Sequence, residues 1–223
     1  MVSRRLAAFA SVIALCITGA AMAPASSMAR DPILFVHGWS ESSSLWKTMI
    51  SNFEKDGYSK SELSSYSYNT STSNKTLAET EVKSHVESLL KATGASKVDI
   101  IGHSMGSLNT RWYVKFVAGG QEKVDDWVSL GGPNHGTTTA NFCFSAACED
   151  MRAGSKFLTE LNAGDETPGT VNYGTWWSPC DEIINPDESV ILSGATNAKT
   201  ACMSHTALTT DKTVYEQVRE FIK

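Results

Sequence analysis

A five-residue segment with a serine at its centre constrains the fold of this chain more than any other feature. The segment is Gly102-His103-Ser104-Met105-Gly106; it follows a mostly apolar run at residues 98–101 and precedes a stretch of helical periodicity at residues 105–118. So tight a turn between a strand and a helix strains the backbone of its central residue and requires small residues on both sides. The pattern therefore predicts that Ser104 presents its hydroxyl at the carboxyl end of a buried strand.

Short apolar runs and amphipathic stretches alternate along the rest of the chain. We predict strands at residues 33–36, 64–68, 98–101, 124–130, 170–177 and 190–193, and helices at residues 44–54, 74–91, 105–118, 155–162 and 212–222. A wholly apolar run such as residues 33–36 is typical of a strand that is buried on both faces of a parallel sheet. The alternation predicts an α/β fold, with a mostly parallel, doubly wound sheet flanked by helices, in a single domain over residues 30–223.

The first 29 residues have the composition of a secretory signal peptide. Arg4 and Arg5 precede an apolar run at residues 6–23. Segments with the small residues of a cleavage site lie at the end of this run, Ala21-Met22-Ala23, and after it, Ser27-Met28-Ala29. The apolar run is short and rich in alanine for a membrane anchor, which is the alternative interpretation. We therefore expect residues 1–29 to be removed and the remainder to be secreted into the extracellular medium.

Charge and cysteine content limit the partners of this chain. The net charge is −5, and the predicted signal peptide contains two arginines and no acidic residue, so the remainder is still more acidic. An acidic surface argues against a nucleic-acid partner. Four cysteines follow the signal peptide, namely Cys143, Cys148, Cys180 and Cys202. They predict two disulfides with three possible pairings, and their spacing does not suit zinc.

A serine hydroxyl needs an imidazole base and a carboxylate that orients this base. In a fold that presents its nucleophile on a strand–turn–helix segment, the acid and then the base follow the serine in the chain. His135 and His205 are the histidines downstream of Ser104, and His205 lies in a polar loop before the last helix. We predict His205 as the base; His135 precedes any strand that could supply the acid and should form local hydrogen bonds, while His85 should be a solvated surface residue.

Asp181 is the predicted acid, because it follows the strand at residues 173–177 after a short turn. The alternatives are Asp187, Glu182, Asp165 and Asp150, each expected to be a solvated surface charge.

An oxyanion hole requires two backbone N–H groups that point at the developing negative charge. Met105 should supply one, at the N-terminus of the helix after Ser104. Trp39 should supply the other, in the loop after the first strand and His37-Gly38.

Three segments together resemble the small lidless secreted triacylglycerol lipases of bacteria, the lipase class 2 family. They are Ile33-Leu34-Phe35-Val36-His37-Gly38-Trp39, residues 97–106, and Leu130-Gly131-Gly132-Pro133-Asn134-His135-Gly136-Thr137. The resemblance implies a minimal α/β-hydrolase fold without a lid domain, no metal or cofactor, and hydrolysis of acylglycerols and simple carboxylic esters. It also places the nucleophile on Ser104, the acid on Asp181, the base on His205 and the oxyanion donors on Trp39 and Met105.

The smallest members of this family lack the four cysteines, so the lining of the acyl pocket does not carry over from the resemblance. We predict the pairs Cys143–Cys148 and Cys180–Cys202, the second of which would connect the loops of the acid and the base. We expect a monomer with an open cleft rimmed by Trp39, Phe142 and Phe144 and transient contact with a lipid interface. Alternative functions are a polyester depolymerase or cutinase-like esterase, a phospholipase, an acyltransferase, and a non-catalytic binding protein of the same fold.

Overall fold

The computed structural model describes residues 30–223, so the predicted signal peptide lies outside the described residues. The strands are β1 (Ile33–Val36), β2 (Leu63–Ser65), β3 (Val98–His103), β4 (Val124–Leu130), β5 (Asn172–Trp177) and β6 (Thr196–Lys199). The helices are α1 (Lys47–Lys55), α2 (Asn74–Leu77), α3 (Lys83–Thr93), α4 (Met105–Phe116), α5 (Gly120–Lys123), α6 (Ala146–Met151), α7 (Lys156–Leu161) and α8 (Lys212–Phe221). Among these residues, no helix has the length and apolarity needed to cross a bilayer.

The six strands form one sheet in the order β2-β1-β3-β4-β5-β6, and every neighbouring pair is parallel. The prediction of a parallel, doubly wound α/β-hydrolase sheet is therefore confirmed. All strands run in the same direction, so the loops that follow β1, β3, β5 and β6 lie together at the carboxyl ends of the strands. These loops carry Trp39, Ser104, Asp181 and His205, in that order.

Two apolar clusters cover the two faces of the sheet. Successive residues of β1 alternate between them: Leu34 and Val36 pack with residues of α3 and α4, whereas Ile33 and Phe35 pack with residues of α1 and α8. All four side chains of β1 are fully buried. Burial on both faces explains why the strand is a continuous apolar run, because each face must be apolar where helices cover it.

The predicted strand at residues 190–193 is wrong, and β6 forms the edge of the sheet instead. Val190 ends a 3-10 turn, and the backbone of Leu192 is held by the side chain of Asn197 at 3.0 and 2.9 Å. Both apolar side chains are buried, although they lie in a loop. Three of the four residues of β6 are exposed, so this edge strand has little of the apolar signal that marks a central strand.

Other predicted elements exist with different bounds. The predicted second strand at residues 64–68 is only the three-residue β2, and the predicted helix at residues 74–91 is a chain of α2, a π-helical turn at Ala78–Val82 and α3. The short helices α5 and α6 were not predicted. His85 does not extend freely into solvent as expected, because its ring stacks on Tyr66 with centroids 3.7 Å apart.

Candidate active site

Ser104 lies at the junction of β3 and α4 with φ 53° and ψ −128°, a conformation that side-chain-bearing residues rarely adopt. The glycines on either side make this junction possible. A Cβ atom on Gly102 would lie 2.9 Å from the carbonyl carbon of Gly106, and a Cβ atom on Gly106 would lie 2.3 Å from the carbonyl oxygen of Val36. α4 therefore approaches β3 at Gly102 and β1 at Gly106 too closely for a larger residue at either position. Ser40 and Ser104 are the non-glycine residues with a positive φ among residues 30–223, and Ser104 is the one that joins a strand directly to a helix. Strain at such a junction is typical of functional turns.

His205 and Asp181 form a buried pair after β6 and β5. Nδ1 of His205 lies 2.8 Å from Oδ2 of Asp181, and the two residues are 4% and 7% exposed. The other carboxylate oxygen accepts the N–H groups of Ile183 and Ile184, both at 2.9 Å. Burial raises the pKa of Asp181, but the bond from His205 and these two amides outweigh burial and hold the pKa below its ordinary value. Asp181 is therefore an anion that accepts a hydrogen bond from the Nδ1–H group of His205.

Because Nδ1 of His205 donates to Asp181, the opposite nitrogen, Nε2, is free to act as an acceptor. This nitrogen is buried and has no hydrogen-bond partner in the described part of the chain. Burial and the nearby ring of His103 lower the pKa of His205, although Asp181 and Glu41 act in the opposite direction. The geometry and the pKa both favour a neutral imidazole with a basic Nε2 at neutral pH.

Ser104 and His205 line the same cavity of about 380 Å³. No hydrogen bond joins Oγ of Ser104 to Nε2 of His205 in the described residues; such bonds are often long in the absence of substrate. The cavity wall is largely apolar and is formed by Ala140, Phe142, Met151, Ile183 and Ile184 together with polar residues at the mouth. Phe144, expected at the rim, is 85% exposed but does not line the cavity.

The amides of Trp39 and Met105 are available to bind an anion. Neither N–H group has an acceptor among residues 30–223. The amide of Met105 begins α4, where the helix dipole favours negative charge. The side chain of Trp39 is 40% exposed and lines the cavity beside Ser104. This arrangement provides two unpaired donors next to the strained serine.

The alternative histidine and acids lie elsewhere or have other partners. His135 contacts Glu166 at 2.7 Å and is not part of the cavity wall. Glu182 lines the cavity, but its carboxylate accepts the backbone N–H of His205 at 2.9 Å rather than contacting the imidazole. The remaining alternatives have other partners or positions: Asp150 in α6 accepts the N–H of Asn74 at the start of α2, Asp165 accepts that of Thr167, and Asp187 begins a 3-10 turn.

Two disulfides brace the loops around the cavity. They join Cys143 to Cys148 and Cys180 to Cys202, which are the pairs that the sequence analysis selected. Cys180 precedes Asp181 directly, and Cys202 lies in the loop that leads to His205. Within the described chain, no group of three His, Cys, Asp or Glu side chains forms a metal-ligand cluster.

Glu41 and His103 also contribute to this region, and neither was predicted from the sequence. Oε2 of Glu41 accepts the N–H of Gly38 at 2.7 Å and lies 2.9 Å from Nδ1 of His103, and the ring of His103 is fully buried. A histidine directly before the serine was the available signal. Its partner could not be found from the sequence, because 62 residues separate the two.

Comparison with known proteins identifies the family of this chain. The model of the family described as Lipase (class 2) matches residues 30–221. Triacylglycerol lipases of Pseudarthrobacter phenanthrenivorans and Burkholderia plantarii are each 40% identical over 62 residues, which is 28% of this chain. The matched segment spans only 18% and 16% of these two relatives.

Two solved structures share the fold at low sequence identity. Bacillus licheniformis lipase BlEst2 in mature form has a TM-score of 0.77 at 16% identity, covering 88% of this chain and 94% of its own. Aspergillus fumigatus lipase B has a TM-score of 0.71 at 17% identity, covering 83% and 51%. The family match covers nearly all the described residues, and the chain therefore belongs to the lipase class 2 family.

Proposed function

We propose that this protein is a serine-dependent carboxylic ester hydrolase, with acylglycerols and simple carboxylic esters as its substrates. The observation that carries the proposal is the strained Ser104 in one cavity with a buried His205–Asp181 pair whose Nε2 atom is free. Membership of the lipase class 2 family supports the same chemistry. The relatives from Pseudarthrobacter and Burkholderia carry the name triacylglycerol lipase, which favours glycerol esters among the possible substrates.

In the proposed mechanism, Oγ of Ser104 attacks the ester carbonyl and transfers its proton to Nε2 of His205. Asp181 holds the imidazole by its Nδ1 proton and stabilises the cation that forms. The amides of Trp39 and Met105 bind the oxyanion of the tetrahedral intermediate. His205 then donates its proton to the leaving alcohol, and a water molecule, activated by the same imidazole, hydrolyses the acyl-enzyme.

The cavity suits an acyl chain. Its volume of about 380 Å³ and its apolar wall would bury a hydrocarbon chain, while Ser104 and His205 face the ester group. Phe142, which is 85% exposed, extends this apolar surface outside the cavity, where transient contact with a lipid interface would occur.

We also propose that the protein works as a secreted monomer, with residues 30–223 as one domain. The two disulfides support an oxidising compartment, in agreement with the predicted signal peptide.

Covalent labelling with a fluorophosphonate probe tests the proposed chemistry. We expect one equivalent of label on the peptide that contains Ser104, no label on Ser104→Ala, and undiminished labelling of the control variant His135→Ala. A panel of p-nitrophenyl esters and triglyceride emulsions should show turnover by the wild-type protein and by the control only. Label on another serine, or turnover by Ser104→Ala, would contradict the proposal, and labelling without ester turnover would indicate a binding protein of this fold.

A further inference from the structure

Behind the reactive serine, Glu41 and His103 connect three separate segments. Glu41 lies in the loop after β1, and its Oε2 atom accepts the N–H of Gly38 at 2.7 Å and approaches Nδ1 of His103 at 2.9 Å. On the other side of the ring, Nε2 of His103 lies 3.2 Å from the carbonyl oxygen of His205. The chain of contacts therefore runs from the loop of Trp39, through the residue before Ser104, to the backbone of the base.

The hydrogen-bond partners of His103 indicate which of its ring nitrogens carry a proton. A carbonyl oxygen can only accept, so Nε2 of His103 must carry the proton that it donates to His205. Nδ1 faces Oε2 of Glu41, which already accepts the N–H of Gly38. If Nδ1 carried no proton, its lone pair would face a lone pair of this oxygen, and the two would repel. A second proton on Nδ1 removes this conflict and makes His103 an imidazolium paired with the Glu41 carboxylate.

The surroundings of this ion pair argue for a role beyond stability. The side chain of His103 is 0% exposed and that of Glu41 is 17% exposed, and burying two charges costs free energy that their attraction rarely exceeds. The rings of His103 and His205 lie 4.5 Å apart. Ionisable groups close to the pair are His37 after β1, Tyr68 stacked on His37, and His205 after β6. Both members of the pair therefore act on the imidazole of His205, because the charge of His103 lowers its pKa and that of Glu41 raises it.

We propose that Glu41 and His103 are positioning residues that hold the loop of the base His205 in register with Ser104 and with the Trp39 loop. This proposal rests on the proposed function, because it assigns to the pair an effect on the base of that reaction. The pair acts through the carbonyl oxygen of His205 and through the amide of Gly38, next to the oxyanion donor Trp39. Since its effect is on alignment, loss of the pair should lower kcat and leave KM almost unchanged.

The variant Glu41→Gln removes the negative charge of this side chain and keeps its size and shape. The single atom that now occupies the Oε2 position must serve both Gly38 and His103. If the amide oxygen takes this position, a buried His103 cation loses its counter-ion; if the amide nitrogen takes it, the donor of Gly38 faces another donor. Either way the ion pair is lost without a change in side-chain size.

We expect Glu41→Gln to lower kcat on p-nitrophenyl butyrate about 10-fold to 100-fold, with KM within about twofold of wild type. His103→Gln should have a similar effect, and the double variant should be no worse than the more impaired single variant, because both act through one contact chain. Glu166→Gln is the matched control, since Glu166 pairs with His135 away from the cavity and should leave kcat unchanged.

Nitrogen-15 NMR of histidine-labelled wild-type protein gives a test that needs no variant to fold. In the wild-type protein we expect a proton on each ring nitrogen of His103, because each nitrogen faces an acceptor oxygen, and we expect these two signals to change in Glu41→Gln. A wild-type spectrum with a neutral His103, additive kcat losses, or a wild-type kcat in Glu41→Gln would each overturn the positioning role. If wild-type protein turns over esters and Ser104→Ala does not, these results leave the proposed function intact; if wild-type protein has no turnover, the proposed function itself fails.

Discussion

Nδ1 of His205 lies 2.8 Å from Oδ2 of Asp181, and the second carboxylate oxygen is fixed by two backbone amides. The carboxylate therefore cannot rotate to serve another donor, and it selects the tautomer of His205 in which Nε2 is basic. The charge of Asp181 therefore stabilises one orientation of the imidazole.

We predict that Asp181→Asn lowers kcat about 10,000-fold with little loss of folding, because the amide can stabilise the opposite tautomer and no longer supports a cationic His205. The measurement is kcat on a dissolved short-chain ester, with the melting temperature as a check on folding. Asp187→Asn is the matched control, since Asp187 lies in a nearby turn without a contact to His205. Equal losses in the two variants would show that the acid has been assigned wrongly.

The pH dependence of the reaction should reflect the lowered pKa of His205. The base must be neutral to accept a proton, so activity is lost as the pH falls through the pKa of His205. Burial and the neighbouring His103 lower this pKa below the ordinary value of 6.5, which moves the acidic limb of kcat/KM to a pH below 6.5. A pH-stat assay between pH 4 and 9 measures the midpoint. His135→Ala should give the same midpoint, and a midpoint above 6.5 in the wild-type protein would contradict the environment described for the base.

The two disulfides should differ in their effect on catalysis. The Cys180–Cys202 bridge closes the longer loop and contributes about 3.5 kcal/mol in the chain-entropy model, against about 2 kcal/mol for Cys143–Cys148. We expect Cys180→Ser/Cys202→Ser to lower both the melting temperature and kcat, because this bridge joins the loops of Asp181 and His205. Cys143→Ser/Cys148→Ser should lower the melting temperature less and retain kcat on dissolved esters. A larger kcat loss in the second variant would reverse the proposed roles.

The sequence was most informative where structure and chemistry are local. The pentapeptide around Ser104 predicts its own turn, because the glycines that permit the close approach of α4 to β3 and β1 lie within two residues of the serine. The central strand β1 has the predicted bounds because burial on both faces shows directly in its wholly apolar composition. The predicted bounds of β4 are also correct, although this strand contains polar residues.

Features that depend on distant partners could not be predicted in the same way. Glu41 contacts His103 across the sheet edge, and nothing in either local sequence specifies the other residue. The edge strand β6 is mostly exposed and lacks the apolar pattern of a strand, whereas the buried loop residues Val190 and Leu192 show that pattern. The stack of His85 on Tyr66 depends on the approach of α3 to the chain after β2, which periodicity along a single helix does not contain.

Stability should depend on the buried carboxyl group of Asp99 at the amino end of the sheet. Asp99 is 2% exposed, and burial, followed by the charges of Asp126 and Asp31, raises its pKa well above 3.8. The folded state therefore binds this proton more tightly than the unfolded state, so stability falls as the pH rises above about 4. We predict that Asp99→Asn raises the melting temperature at pH 7.5 more than at pH 4, because the amide oxygen can still accept the N–H of Asp126. Asp165→Asn, at an exposed turn, should show no such dependence, and an unchanged melting temperature of Asp99→Asn at pH 7.5 would count against the argument.

The segment between β4 and α6 is the place where a lid could cover the cavity, and its contacts fix it to the body of the protein. The hydroxyl groups of Thr137 and Thr139 both donate to the carbonyl oxygen of Ile183, at 2.6 and 2.7 Å. The guanidinium of Arg152 donates to the carbonyl oxygens of Ala140 and Cys143, at 3.2 and 2.8 Å. The Cys143–Cys148 bridge closes the same segment. A lid must move as a unit, and this segment is held at both of its ends and at its centre.

We therefore predict little or no interfacial activation. A lid that opens at a lipid surface would bury an apolar underside when closed, whereas Phe142 and Phe144 are both 85% exposed. With the cavity already open, dissolved esters should reach Ser104 without any conformational step. The measurement is the rate of tributyrin hydrolysis as the concentration passes through the solubility limit, with Ser104→Ala as the blank. We expect a smooth hyperbola; a sharp increase when the emulsion forms would show that the segment moves despite its contacts with Ile183 and Arg152.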